Sequence, residues 1–128
     1  MSKPLVLQVA ERARELVDNP RTWTQDAIAR TGNNRHCQPT DARAVRYCAY
    51  GAILRAASDV AGSHDHSQRP ADQAVMLVQR LADQAAMLVT GRDNPFVAFD
   101  DLIAINDGPR ATARRAVLEL FERALVAA

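Results

Sequence analysis

Apolar residues recur at helical spacing along most of this chain, and the pattern predicts an all-α fold. A first helix opens at Ser2 or Lys3 and runs to about Asp18. Val6, Val9, Ala10, Ala13, Leu16 and Val17 fall on one stripe, with Gln8, Glu11, Arg12, Glu15 and Asp18 opposite. Asn19-Pro20 ends it, because the residue before a proline is pushed out of the helical region. Thr22 and Gln25 stand at capping-box spacing, which predicts a short helix to about Arg30 stopped by Gly32. Trp23 would lie at its start, placed to pack over a neighbouring helix. Gly32 to Pro39 reads as a polar loop with room for a little extended structure.

Thr40 to Ala61 reads as one helix, capped by Thr40 or Asp41, with Val45, Cys48, Ala49, Ala52, Ile53, Ala56 and Val60 on its buried stripe. Gly51 lies inside it. Glycine costs a helix interior about 1 kcal/mol against alanine, so its position points to close approach by another helix. Gly62 to Arg69 is a connection, and Pro70 suits the first turn of a helix reaching Thr90. Within that helix residues 71–78 nearly repeat as 82–89. An offset of eleven residues, about three turns, puts both copies on one face. Gly91 to Pro95 is a break, followed by a short helix from Phe96 to Ile105. Asn106-Asp107-Gly108-Pro109 is a turn, with Asp107 a natural cap and Pro109 suited to the first turn of the last helix. That helix runs to about Val126 with Ala113, Ala116, Val117, Leu120 and Ala124 facing inward. The expectation is one domain over residues 1–128, a bundle of four main helices plus two short ones.

Composition narrows the function more than the fold. The 128 residues are 48% apolar but include few aromatics (one Trp, two Tyr, three Phe), and much of the apolar content is alanine. A net charge of +1 argues against a dedicated nucleic-acid or membrane-surface protein, both of which need a basic excess. Lys3 is the only lysine among the basic residues, a bias we attribute to a GC-rich genome rather than to phosphate recognition. No stretch reaches the ~20 apolar residues of a membrane span, and the N-terminus lacks a signal-peptide pattern. Two cysteines are too few for a disulfide framework. A reduced, cytoplasmic protein without membrane contact is expected.

Few positions carry chemistry. Cys48 would lie about two turns into its helix, where the dipole has faded, and no cation stands three or four residues away; a small buried core residue is the simpler reading. His64, His66, His36 and Cys37 have zinc-type side chains, but they sit in polar loops without finger spacing, so no metal is expected. Asp93, Asp100, Asp101 and Asp107 make residues 93–107 acidic without matching a calcium loop. Asp100 and Asp101 read as solvated or paired with arginines of the last helix. Asn106, beside a cap at the end of an apolar segment, could orient a ligand or lock a loop. Met76 and Met87 lie on the flank of their helix, either as an adaptable contact surface or as part of a broad stripe.

Trp23-Thr24-Gln25 with Ala29-Arg30, then Cys48-x-x-Gly51-Ala52 with Arg55-Ala56, then Asn106-Asp107 before an amphipathic last helix, make a set. It resembles a family of small bacterial and phage proteins known only as a domain of unknown function, and covers most of the chain. The resemblance implies that the tryptophan, cysteine, glycine and asparagine–aspartate positions recur, with a glycine-proline pair after the last as in Gly108-Pro109. No histidine belongs to the pattern, which weakens a Cys–His enzyme. It implies a shared site or a shared core without naming a reaction or a cofactor. Two functions stay open: a non-enzymatic interaction module, self-associating as a homo-oligomer through the Met76/Met87 helix or holding a protein or small-molecule partner, and a thiol-dependent enzyme or small-molecule binder. Trp23, Gln25, Arg30, Cys48, Asn106 and Asp107 are the candidate site. In the second function Cys48 would be the nucleophile, Trp23 a wall, and Asn106 and Asp107 the orienting groups.

Overall fold

Alanine decides how this chain packs. The computed structural model describes residues 3–63 and 71–127. Their order is α1 (Leu5–Val17), β1 (Ala29–Thr31), β2 (Ala44–Tyr47), α2 (Ala49–Ser63), α3 (Ala71–Thr90), α4 (Pro95–Asn106) and α5 (Arg110–Ala127). The described residues are mainly helical, with one two-stranded antiparallel sheet. α1 packs against α2, α3 and α5, and α3 also meets α2 and α4. Small side chains line these meetings. Ala10 and Ala13 of α1, Ala52, Ala56 and Ala57 of α2, and Ala82, Ala85 and Ala86 of α3 are all buried, so the helices can approach closely. The larger side chains Val9, Val17, Ile53, Leu102, Val117 and Phe121 fill what remains.

The helices that follow a clear apolar period lie close to where the pattern puts them. α1 starts after Pro4, whose carbonyl accepts from the Leu7 and Gln8 N–H groups at 3.1 and 3.2 Å. Asn94 caps α4 by accepting from Phe96 N (2.8 Å) and Val97 N (3.3 Å), with Pro95 in the first turn. In α5 the buried residues are Ala113, Val117, Phe121 and Ala124. Ala116 and Leu120 are only half-buried, and Phe121 takes the deep position expected of Leu120. The described part of α3 begins at Ala71; Pro70, His64 and His66 lie outside the described residues.

Two expected helical stretches are corrected. Thr22 to Arg30 is not a helix, because its capping-box side chains find better partners elsewhere. The Thr22 hydroxyl donates to the Leu16 carbonyl at the end of α1 (2.6 Å), and Gln25 reaches across to the α4–α5 turn. The Thr22 carbonyl and Thr24 N–H pair instead with the N–H and carbonyl of Tyr47, at 2.8 and 3.0 Å. The second correction is Thr40 to Ala61, where the helix starts nine residues late, at Ala49. Ala44-Val45-Arg46-Tyr47 pairs with β1 in the register Ala29↔Tyr47, Arg30↔Arg46 and Thr31↔Ala44. Asp41 caps no helix and accepts from Arg43 N (2.8 Å) in a turn, and Val45, expected inside, is 44% exposed. The chain is therefore mainly α, with a small sheet where the end of a short helix and the first turns of a long one were expected.

Candidate functional site

Asn106, the last residue of α4, is fully buried. A side-chain amide offers two acceptor lone pairs and two N–H donors, and here all four are used. Its Oδ1 accepts from Trp23 Nε1 (2.8 Å) and from the backbone N–H of Ala49 (2.9 Å). Its Nδ2 donates to the Thr24 carbonyl (2.9 Å) and to Asp107 Oδ1 (3.2 Å). One side chain thus joins the end of α4, the segment beside β2 and the first turn of α2, whose N–H groups have no partner within the helix. Gln25 Nε2 adds bonds to the carbonyls of Asn106 and Gly108, both at 2.9 Å.

Asp107 does not cap the last helix. It follows α4 as its C-terminal cap, and its carboxylate accepts from the N–H of Asp26 at 3.0 Å. Asp26 has a φ of +61°, a left-handed conformation that a non-glycine residue adopts only with local support. Arg30 closes the same corner from the sheet: Nε donates to Thr24 Oγ1 (2.9 Å), Nη2 to the Gln25 carbonyl (3.3 Å) and Nη1 to the Asn34 carbonyl (3.2 Å).

Cys48 sits at the mouth of α2 rather than two turns inside it. Its carbonyl accepts from Ala52 N (2.8 Å), and its Sγ accepts from the Gly51 N–H at 3.3 Å, the position of a capping side chain. Two influences then oppose. Burial pushes the thiol pKa up, the N–H groups of Gly51 and Tyr50 pull it down, and the Asp107 carboxylate raises it further; burial wins. Gly51 is tight for an unexpected reason. A Cβ there would stand 2.0 Å from the Ile28 carbonyl oxygen and 3.1 Å from Ile28 Cγ2. The close partner is the chain entering β1, not a helix, and the same Ile28 carbonyl accepts from Cys48 N at 3.1 Å.

The six candidates therefore gather at one corner, but not around an open pocket. Trp23, Gln25, Asn106 and Asp107 bond through one another, Cys48 adjoins them through Ala49, and Arg30 braces them. The clefts lie beside this corner. One of about 490 Å³ passes Trp23 and Pro20 and is lined by Arg110, Arg114 and Arg115, of which Arg114 donates to the Asp18 carbonyl at 3.0 Å. Another, of about 440 Å³, is apolar, with Tyr50, Phe96, Phe99 and Pro95 in its walls; the Tyr50 and Phe99 rings meet edge to face at 4.7 Å. Met76 is 60% exposed near it and Met87 is half-buried. Asp101 pairs with Arg92 at 2.6 Å rather than with an arginine of α5. Among the described residues no group of three or more His, Cys, Asp or Glu is placed to hold a metal ion; His64 and His66 lie outside them.

No helix of the described residues is long and apolar enough to cross a membrane. No curated protein and no solved structure matches the chain. Residues 1–126 match the sequence model of a family of unknown function (DUF6197), and a match of that extent makes the chain a member of that family.

Proposed function

We propose that the protein is a non-enzymatic interaction module, in which the Trp23–Asn106 corner is a structural lock and the exposed apolar face of α3 and α4 is the binding surface. Asn106 carries this reading. With both its donors and both its acceptors spent inside the fold, the Asn106 amide keeps nothing for a substrate. Cys48 is 1% exposed and its thiol is held protonated by burial. The most exposed large apolar side chains lie away from the corner: Val126 at the end of α5 is 87% exposed, and on α3 and α4 Val75 is 68%, Met76 60% and Phe96 80% exposed. Apolar surface of that kind is what a partner would cover. The two free thiols fit a reducing, cytoplasmic setting.

Alkylation by iodoacetamide at neutral pH tests the reading. The folded protein is expected to react at half-buried Cys37, and at Cys48 only after denaturation. Fast, selective modification of Cys48 in the folded chain would overturn it in favour of a thiol-dependent enzyme or small-molecule binder.

A further inference from the structure

The outer face of α3 reads the same from either end. Met76, Gln79, Arg80, Asp83, Gln84 and Met87 line one shallow groove with Pro95. At 100° per residue these six positions span about 140° of the helix, a single face. Each has a counterpart reflected through the midpoint between Leu81 and Ala82: Met76 with Met87, Gln79 with Gln84, Arg80 with Asp83. Two of the three pairs are identical residues. The third is a pair of opposite charges.

We propose that this face binds a second copy of the same chain, with the two α3 helices antiparallel about a two-fold axis at Leu81–Ala82. A two-fold contact places residue i against j and j against i, so an antiparallel helix pair brings together positions whose numbers have a constant sum. In this register Met76 meets the partner's Met87, Gln79 the partner's Gln84, and Arg80 the partner's Asp83, twice over. Among these six positions no other register pairs Arg80 with Asp83. Among the described residues Arg80 and Asp83 are not joined within one chain: Arg80 is exposed with no ion pair there, and Asp83 accepts from Gln79 (2.9 Å). The groove continues past Pro95 to Phe96 and the Tyr50–Phe99 pair. In the antiparallel arrangement that apolar corner, beside the Asp83 half of one α3, faces the exposed Val75–Met76 half of the other.

The pairing rests on the interaction-module reading but fails separately from it. A contact centred on one helix face belongs to the small class of interfaces, below about 1,200 Å² in total, so association is read by light scattering from micromolar to millimolar protein. Low salt keeps the exposed charges unscreened. The wild-type mass is expected to rise from one chain toward two. Arg80→Asp and Asp83→Arg each set like charges across the axis, and each is expected to raise the dimer dissociation constant at least about tenfold. An equimolar mixture of the two variants restores dimers as heterodimers, and the double swap Arg80→Asp/Asp83→Arg restores homodimers. If a swap unfolds the chain, Met76→Glu is the alternative and should abolish association. A monomeric wild type overturns the pairing, as does a dimer indifferent to the swaps or a mixture that stays monomeric. Cys48 alkylation judges the module reading independently of all three.

Discussion

Asn106→Ala measures whether the Trp23–Asn106 corner holds the fold together. The substitution strands three groups: Trp23 Nε1–H, the Ala49 N–H and the Thr24 carbonyl. A buried polar group left without its partner costs about 1–3 kcal/mol, which gives about 3–9 kcal/mol for the three. The volume the amide vacates admits a water that can rebond two of them, so the lower half applies, about 3–5 kcal/mol. That is a large share of the ~5–15 kcal/mol by which a domain of this size is stable, and corresponds to a melting temperature lower by roughly 10–20 °C. Asn106→Asp keeps the volume and the acceptor but turns Nδ2 into an oxygen facing the Thr24 carbonyl and Asp107 Oδ1. Burial raises the folded-state pKa of that new acid, so the variant is least impaired at low pH. It loses stability as pH rises past the unfolded carboxyl value of ~4. Urea unfolding decides, followed by helical circular dichroism and by the fluorescence of Trp23, the sole tryptophan, whose indole is part of the lock. An Asn106→Ala variant within about 1 kcal/mol of wild type, at unchanged denaturant slope, would refute the lock.

Gly51→Ala should destabilise by about 2–5 kcal/mol in the same assay. The added methyl would displace a backbone carbonyl that also holds Cys48 N, and the ~1 kcal/mol of helix propensity gained is too small to compensate. Tyr47 and Tyr50 both have pKa values raised chiefly by burial, so their neutral forms favour the folded state. Stability from them is full below the ordinary tyrosine value of ~10 and is lost as pH rises from there through the raised folded-state values. An absorbance titration should show both phenols ionising later in the folded than in the urea-unfolded chain. Arg55→Ala should loosen the loop before β2, since Arg55 Nη1 holds the carbonyls of Pro39 (3.2 Å) and Asp41 (3.3 Å). Faster amide exchange over residues 39–47 checks it.

The sequence was enough to place the helices whose apolar period is long and whose ends carry breakers. α1 stops at Asn19-Pro20, α4 follows the Gly91–Pro95 break, and α3 and α5 run for eighteen residues or more close to their expected bounds. It also singled out Trp23, Gln25, Cys48, Asn106 and Asp107 as unusual. The small sheet was not legible, because positions 45, 48, 49, 52 and 53 satisfy a helical period as well as a strand followed by a helix. Four residues of strand carry too little pattern to break that tie. Tertiary structure broke it, through the backbone bonds of Tyr47 to Thr22 and Thr24 and the Ile28 carbonyl wedged between Cys48 and Gly51. The same holds for the site. Trp23 and Asn106 are 83 residues apart and meet at 2.8 Å only because α4 ends where α2 begins. Spacing along a chain constrains neighbours a few residues apart; which distant amide receives an indole N–H depends on how the described helices pack.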